Sequence, residues 1–352
     1  MIMKTATIFA WKDRESAVAQ AAEELKGGGL VVFPTETVYG LGANAFDADA
    51  VRRIFKAKGR PQDNPLIVHI AKMEQLRDVA AEVSGTARRL MERFWPGPIS
   101  VIVKKSARIP DAVSAGLGTV AVRMPENDLA REIIARAGIP VAAPSANISG
   151  KPSPTLARHA YEDLCGKVPR IIDGGPCRVG VESTVVDATG EIPVILRPGD
   201  ITPEMIRQAV GNVRVHHGVM SEAQKDEVCA SPGMKYRHYA PKANVTVFTG
   251  DKKEVAKCVN FRYHSDSMQG KTAVVLCLDE CAGLYPECRI LPLGRDAGEA
   301  EAALFRTLRE IDEQGFDAAY FHAQEEKMGL AVMNRIIRAA GHRIVAAGEE
   351  KE

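Results

Sequence analysis

Apolar and polar positions alternate along the first 200 residues in a pattern that predicts short buried strands separated by amphipathic helices. Helical spacing is found in residues 15–26, 48–58, 85–94 and 128–137. Short apolar runs predict strands at residues 30–34, 66–71, 99–103, 120–124, 141–143, 183–187 and 194–196. Because strands and helices alternate without an internal repeat, this part of the chain is predicted to form a mixed α/β sheet.

The pattern stops in residues 211–243, where glycine, proline and polar residues break any period, and a linker is predicted. It starts again at Asn244. Strands are predicted at 245–248, 273–278, 318–322 and 343–346, and helices at 252–262, 297–313 and 325–340. This alternation predicts a small Rossmann-like domain, but no glycine fingerprint follows its first strand. The predicted organisation is therefore a domain at 1–210, a linker at 211–243 and a domain at 244–352.

Length and composition are those of an ordinary globular protein. A chain of 352 residues is expected to form two domains. The net charge is +1, and residues 1–200 carry 26 Lys and Arg against 23 Asp and Glu, which is too small an excess to indicate RNA binding by bulk charge. The first 24 residues lack the apolar core of a signal peptide, and no run has the roughly 20 apolar residues of a membrane span. The seven cysteines include no CxxC pair, so we expect reduced thiols in a cytoplasmic protein.

Two polar loops carry the candidate chemistry. The first lies within the segment Phe33–Ile70 and contains Lys58-Gly59-Arg60-Pro61 and then Asn64-Pro65, so it holds cations on a backbone that glycine and prolines restrict. The second is Pro144–Gly150, which is rich in small hydroxyl and amide side chains. Cations near such groups suit a polyanionic phosphate ligand. We expect the first loop to be exposed. The alternative to phosphate binding is that its cations only form the solvated end of the 48–58 helix, where positive charge is favourable.

Four polar side chains lie in or beside predicted strands and loops, and three of them have two interpretations. Ser145 and Asn147 would point the same way if their segment is extended, whereas a side-chain turn before Gly150 is the alternative. His69 lies inside an apolar strand, where a satisfied core histidine is more common than a ligand. Arg123 ends an apolar strand and needs a partner there, which a substrate carboxylate would supply.

The segment PTETVYGLG, the K-x-R of Lys58 and Arg60, and the S-x-N of Ser145 and Asn147 resemble the YrdC/Sua5 family over residues 10–210. The chain from about residue 240 resembles the extra domain of the longer Sua5 type. The resemblance implies a twisted mixed-sheet YrdC-like catalytic domain plus a small Rossmann-like α/β C-terminal domain. It also implies an L-threonylcarbamoyladenylate synthase, which converts L-threonine, bicarbonate or CO2, and ATP to threonylcarbamoyl-AMP and pyrophosphate for N6-threonylcarbamoyladenosine in tRNA.

The resemblance also implies roles for individual residues. The catalytic positions that it implies are Lys58, Arg60, Ser145 and Asn147. Its ATP-binding positions are Arg60, Asn64, Thr119, Ser145, Ser153, Arg197 and Tyr239. Its threonine-binding positions are Thr37, His69, Arg123, Ala143 and Ser183. For Ser153 the cap region of the following helix is an alternative, and for Arg197 a turn salt bridge. Mg2+ would be held mainly by the ATP phosphates and water, with no ligand cage from the chain.

The end of the predicted linker, Lys235–Pro241, is aromatic and basic, and it resembles the Sua5 linker that folds over the nucleotide site as a lid. The expected partners are ATP, L-threonine, bicarbonate and the downstream tRNA threonylcarbamoyl transfer machinery, with a weak tRNA contact and no membrane. Two other functions stay open at this point. One is an RNA-binding or ribosome-associated module. The other is carbamoyl transfer of the hydrogenase-maturation type, although its acylphosphatase and zinc-finger modules are not found in the sequence.

Overall fold

The structure is a computed structural model that describes residues 4–221 and 239–348. The described residues form two compact units. The first contains 4–149 and 153–219, and the second contains 150–152, 220–221 and 239–348. Residues 222–238 of the predicted linker, including most of its aromatic and basic end, lie outside the described residues.

The first unit is built on one mixed sheet. Its strands are β1 Ala6–Phe9, β2 Val31–Phe33, β3 Gly40–Asn44, β4 Ile67–His69, β5 Ala80–Glu82, β6 Ile99–Lys105, β7 Thr119–Arg123, β8 Val141–Ala143, β9 Arg170–Asp173, β10 Thr184–Asp187, β11 Val194–Arg197 and β12 Arg214–Val215. The strand order is β1-β9-β2-β3-β8-β4-β7-β6-β10-β11-β12, with β5 paired to β6. Parallel and antiparallel pairs both occur, which confirms the predicted mixed sheet.

Helices and short 3-10 turns connect these strands. The helices are α1 Arg14–Lys26, α2 Ala48–Lys58, α3 Leu76–Val79, α4 Gly85–Phe94, α5 Asp111–Ser114, α6 Asp128–Ala137, α7 Ala157–Leu164 and α8 Pro203–Val210. Helix α2 begins where the side chain of Asp47 accepts hydrogen bonds from the first backbone amides. It ends at Gly59, whose φ of 62° favours glycine and turns the chain sharply after Lys58. This turn separates the directions of the Lys58 and Arg60 side chains.

The register around β4 sets the position of the candidate site. Strand β4 lies between β7, to which it is parallel, and β8, to which it is antiparallel. His69 therefore stands opposite Arg123 on one side and Val141 on the other, while Ala143 stands opposite Ile67. His69 and Arg123 are themselves buried, in the same strands as the fully buried Val68 and Val122, so these two polar side chains lie inside the protein.

Several elements were not predicted from the sequence pattern. Strand β3 has the sequence GLGAN, in which two glycines hide the strand pattern. Strand β12 lies inside the predicted linker 211–243, and its two residues pair in parallel with β11. A pairing of two residues is too short to produce a readable period.

The second unit is a parallel α/β layer. Its strands are β13 Asn244–Gly250, β14 Ala273–Cys277, β15 Ile290–Pro292, β16 Ala318–His322 and β17 Ile344–Ala347. Its helices are α9 Lys252–Met268, α10 Asp279–Ala282, α11 Ala297–Glu313 and α12 Glu325–Ala339. All pairs in the order β15-β14-β16-β13-β17 are parallel. Among the described residues, no helix is long and apolar enough to cross a membrane.

Candidate active site

Lys58 is the last residue of α2, and its side chain is buried, with only 1% of the residue exposed. Its Nζ donates to the carbonyl oxygen of Ser145 at 2.5 Å and to that of Asn147, and it lies 3.4 Å from Asn147 Oδ1. The expectation of an exposed loop is therefore wrong for Lys58, and so is the solvated helix end. The final turn of α2 faces the 144–149 loop, and the ammonium is held against that loop.

The 144–149 loop is anchored to the PTETVYGLG segment by backbone hydrogen bonds. Leu41 N donates to Pro144 O at 2.9 Å, and Ala146 N donates to Tyr39 O at 2.8 Å. Within the loop, the Ser145 hydroxyl donates to Asn147 Oδ1 at 2.5 Å, so the two side chains meet, although residues 146 and 147 form a bend and not the extended segment of the first interpretation. The loop therefore presents a hydroxyl, an amide and the Lys58 ammonium together.

Arg60 lies beyond the Gly59 turn and is half-buried. Its Nε and Nη2 both donate to Asn64 O at 3.3 Å, and Nη2 also donates to Pro65 O at 3.1 Å. These bonds fold the guanidinium back over the loop and hold it in one orientation. Arg60 and Asn64, both predicted at the nucleotide, are thus in direct contact.

Arg123 and Glu36 form a buried ion pair, with 3% and 4% of the residues exposed. Arg123 Nη2 lies 2.7 Å from Glu36 Oε1, Nη1 donates to Thr37 Oγ1 at 2.9 Å, and Nε donates to Gly97 O at 3.3 Å. Burial opposes ionisation of Glu36, but the charge and hydrogen bond of Arg123 outweigh it and lower the pKa of the carboxyl. Arg123 therefore has a partner in the protein, which the sequence interpretation left to a substrate.

Sequence reasoning missed Glu36. A signal for it was present, because Glu36 is the one charged residue in the segment 33–46. A lone carboxylate between apolar strands needs a cation, and the buried Arg123 supplies it. The resemblance assigned Thr37 to the threonine-binding site, and its hydroxyl accepts a hydrogen bond from the same guanidinium.

His69 is buried beside this pair. Burial and the positive charge of Arg123 lower its pKa to about 3, so the imidazole is neutral at physiological pH. Its ring stands edge-on to Phe33, with ring centroids 6.3 Å apart. Within the described parts of the chain, Nδ1 has no hydrogen-bond partner. A buried imidazole nitrogen without a partner is uncommon and is an available hydrogen-bonding group.

Ser183 and Arg197 meet although the resemblance assigned them to different substrates. Arg197 Nε donates to Ser183 O at 3.0 Å, and its Nη2 donates to the Ser183 hydroxyl at 3.2 Å. That hydroxyl also lies 2.8 Å from the hydroxyl of Ser100. The side chain of Ser183 is therefore fixed by two buried neighbours.

Ser153 does not cap the following helix. Helix α7 has Leu156 at its N-cap position without a side-chain hydrogen bond, whereas the Ser153 hydroxyl donates to Glu182 Oε1 at 2.5 Å. Because Glu182 precedes Ser183 in the chain, Ser153 stands next to the Ser183 cluster. The cap alternative for Ser153 is wrong.

The remaining predicted residues are more dispersed. Thr119 begins β7, is half-buried and lines a small hollow with Pro65 and Leu66. Ala143 ends β8, two residues before Ser145. Tyr239 belongs to the second unit, where its buried ring lies 5.0 Å from that of Phe305. Its role at the nucleotide stays a prediction.

The donor groups of the first unit are mainly hydroxyl, amide and guanidinium. No group of three His, Cys, Asp or Glu side chains that could hold a metal ion occurs in 4–221 or 239–348. The hydroxyl of Ser145 and the amide oxygen of Asn147 are hard oxygen donors, which suit Mg2+ when other ligands come from phosphate and water.

Comparison with known proteins identifies the family. A family model for Sua5, YciO and YrdC, described as Telomere recombination, matches residues 23–199, and a model described as Threonylcarbamoyl-AMP synthase, C-terminal domain, matches residues 201–341. The threonylcarbamoyl-AMP synthase of Pyrococcus abyssi is 48% identical over 326 residues, which cover 92% of this chain and 94% of the relative. The chain belongs to the Sua5/YciO/YrdC family. Its second matched model makes it a member of the long Sua5 type.

Other members of the family agree. The threonylcarbamoyl-AMP synthase of Bacillus subtilis is 45% identical over 332 residues, covering 93% of this chain and 94% of the relative. The crystal structure of Pyrococcus abyssi Sua5 complexed with L-threonine matches with a TM-score of 0.89 and 45% identity, covering 99% of this chain and 100% of that one. These relatives confirm the predicted family, fold class and activity, an ATP-using threonylcarbamoyl-AMP synthase.

Proposed function

We propose that the first unit makes threonylcarbamoyl-AMP from L-threonine, bicarbonate and ATP, and that the residues assembled around Lys58 and Arg123 carry the reaction. The observation that supports this most strongly is the buried Lys58 ammonium, bonded to the carbonyls of both Ser145 and Asn147. A cation that is fixed before the substrate arrives stabilises charge on a reacting phosphate without further reorganisation.

The phosphate side of the site would consist of Lys58, Arg60, Ser145 and Asn147. Arg60 would grip phosphate oxygens as a fork, because its guanidinium is already oriented by Asn64 O and Pro65 O. Lys58 would neutralise charge that builds on the departing pyrophosphate. The remaining proposed nucleotide contacts are Asn64, Thr119, Ser153, Arg197 and Tyr239.

The amino-acid side of the site would consist of Thr37, His69, Arg123, Ala143 and Ser183. Arg123 would bind the carboxylate of threonine, and Glu36 would position the guanidinium by sharing its charge. The low pKa of His69 makes its imidazole a weak base, so it would act as a hydrogen-bonding group for the amine or hydroxyl and not as a general base. Its unpartnered Nδ1 would find a partner in the bound substrate.

The reaction then needs no nucleophile from the chain. The free amine of threonine attacks the carbon of bicarbonate, a C–N bond forms, and water leaves to give the carbamate. A carbamate oxygen next attacks the α-phosphorus of ATP, and the bond to pyrophosphate breaks. The chain contributes by orienting the reactants and by neutralising charge, which are the main contributions in such transfers.

Mg2+ is proposed as the metal that accompanies ATP. When bound, it would supply charge neutralisation across the phosphate oxygens. Ser145 and Asn147 are the residues whose oxygen atoms would complete its ligand shell beside the phosphates and water.

The proposed setting is cytoplasmic, where ATP and tRNA are found. The product is a reactive mixed anhydride, so it would pass to a downstream enzyme that transfers the threonylcarbamoyl group to tRNA. A weak tRNA contact and closure of the 211–243 segment as a lid are also proposed. A lid would exclude water from the anhydride.

The test is release of pyrophosphate with each substrate omitted in turn. The expected result is release only when ATP, threonine and bicarbonate are all present. Valine, which lacks the hydroxyl, should support release far more slowly, because the buried polar groups would be left unpaired. Equal release without threonine, or with valine in its place, would overturn the assignment of the amino-acid pocket.

A further inference from the structure

The second unit contains a polar cleft of about 690 Å3. It opens at the amino ends of the parallel strands, where Asn244 begins β13, Ala318 begins β16 and Arg343 immediately precedes β17. Ligands of open parallel sheets usually bind at the opposite, carboxyl edge. The fold therefore does not predict a ligand site at this edge, and the case for one depends on the residues that line the cleft.

The cleft is basic although the surrounding domain is acidic. Residues 242–352 carry 15 Lys and Arg against 18 Asp and Glu, a net charge of −3. The cleft lining reverses this balance, with four cations against two carboxylates. The cations are Lys242, Arg262, Lys271 and Arg343. A local excess of positive charge in an acidic domain attracts anions to this one place.

Both carboxylates of the cleft are already engaged in hydrogen bonds. The buried Asp266 accepts a hydrogen bond from the Tyr320 hydroxyl, and the Lys271 ammonium lies 3.0 Å from its Oδ1. Asp317 accepts from both the backbone amide and the hydroxyl of Thr272, each at 2.9 Å. Asp266 thus balances Lys271, and Asp317 holds the backbone before β14.

Of the other three cations, Arg262 is partly balanced, because after the Tyr320 hydrogen bond and Lys271 its charge also helps to lower the pKa of Asp266. Across the described ranges 4–221 and 239–348, no carboxylate forms an ion pair with Lys242, Arg262 or Arg343. Arg343 has a neutral partner, since its Nη1 donates to Asn244 Oδ1 at 3.3 Å. The side chains of all three are exposed at the cleft. Three cations that line one cleft repel one another unless an anion joins them.

We propose that this cleft binds a small phosphate-bearing anion, of the size of pyrophosphate or a nucleoside triphosphate. A cleft of 690 Å3 lies within the usual range for small-molecule sites. Arg262 and Arg343 provide planar donor forks that match phosphate oxygens, and Lys242 adds a mobile ammonium. The site is separate from the proposed catalytic residues of the first unit, and it does not rest on the proposed function.

The test is calorimetric titration of the full chain with pyrophosphate and, separately, with ATP. Wild-type protein should show two classes of site, one at the catalytic residues and one at the cleft. The double variant Arg262→Ala/Arg343→Ala should weaken the cleft class by at least about tenfold for each lost charge-assisted bond. Arg60→Ala should weaken only the other class. Arg306→Ala, which removes an exposed cation from α11, is the matched control and should change neither.

The outcomes separate the two claims. If the double variant binds both anions as the wild type does, and its thermal unfolding is also unchanged, the proposal that the cleft binds phosphate is overturned. If the cleft binds ATP but not pyrophosphate, the result supports the proposal and shows that the site recognises nucleotides. If the cleft binds both anions equally, the site recognises the phosphate groups. Binding of a single-stranded oligonucleotide with neither small anion bound overturns it. A chain without synthase turnover that keeps the cleft class would refute the proposed function alone.

Discussion

The two units of this chain place their functional charges in opposite environments. In the first unit Lys58, Glu36 and Arg123 are at least nine-tenths buried and are held by named partners. In the second unit Lys242 and Arg262 are exposed around a cleft. A buried charge is costly without partners, so its removal disturbs folding as well as chemistry. An exposed charge is inexpensive, so its removal affects only what it binds.

The largest effect is expected from breaking the buried ion pair. Glu36→Gln should lower the free energy of unfolding by about 3–5 kcal/mol, because Arg123 would keep a buried charge without its carboxylate partner. Chemical denaturation measures this change in the free energy of unfolding. The control is Glu126→Gln, which removes the surface partner of Arg178 and should cost about 1 kcal/mol or less. Equal costs for the two variants would show that the buried pair contributes no more than a surface pair.

The next effect concerns catalysis. Lys58→Met keeps an apolar side chain of similar length but removes the ammonium, so turnover should fall by about 10²–10³-fold. The free energy of unfolding should also fall, by about 1–3 kcal/mol, since two carbonyls lose their donor. Lys56→Met on the exposed side of the same helix is the control. Pyrophosphate release near the wild-type rate in Lys58→Met would remove Lys58 from the mechanism.

Arg60 should separate chemistry from stability more cleanly. Arg60→Ala is expected to reduce turnover by about 10²-fold, the effect of losing one preorganised donor. The free energy of unfolding should change by only about 1 kcal/mol, because the Arg60 side chain is half-buried and donates to two carbonyl oxygens of its own loop. Arg52→Ala, at an exposed position of α2, is the comparison. If stability and turnover fell together in proportion, Arg60 would be a structural residue.

A smaller effect should appear in the pH dependence of stability. The folded-state pKa of His69 is about 3, below its ordinary value of 6.5, so the unfolded chain takes up the proton first. Stability from this group is therefore complete above pH 6.5 and is lost as the pH falls towards 3. The loss should be about 1.4 kcal/mol per pH unit. Denaturation of wild type and His69→Gln between pH 4.5 and 6.5 measures the difference in slope, with His264→Gln at an exposed position as control. Identical slopes in wild type and His69→Gln would contradict the buried neutral imidazole.

The smallest effect on folding is expected in the second unit. Arg262→Ala should change the free energy of unfolding by no more than about 0.5 kcal/mol, because its side chain is exposed and pairs with no carboxylate among the described residues. Thermal denaturation beside the Glu36→Gln variant gives the sharpest contrast between the two units. A cost near that of Glu36→Gln would remove the distinction between buried and exposed charge.

Local sequence signals were sufficient for much of the fold. Helix α2 has its predicted bounds, because Asp47 caps its start and Gly59 supplies the left-handed turn at its end. The short apolar runs of β4, β7 and β8 were also readable from composition. Helix α9 runs to Met268, six residues beyond its predicted end at 262, because its last turns lack a clear apolar stripe.

The site was harder to predict, because its contacts join residues far apart in the chain. Periodicity gives no indication that Lys58 bonds carbonyls 87 and 89 residues away, so its loop was expected to be exposed. Glu36 was missed because its partner, Arg123, is likewise distant in sequence. The resemblance named individual residues such as Ser183 and Arg197, but only the structure shows that these two touch.

The most direct test of the account is the identity of the product formed from ¹³C-labelled bicarbonate, L-threonine and ATP. Mass spectrometry should detect threonylcarbamoyl-AMP that carries one labelled carbon, formed in step with pyrophosphate by the wild type. The Lys58→Met variant should form it at least about 10²-fold more slowly. Pyrophosphate release with unlabelled AMP as the only adenylate, or labelled product at an equal rate from Lys58→Met, would contradict the account.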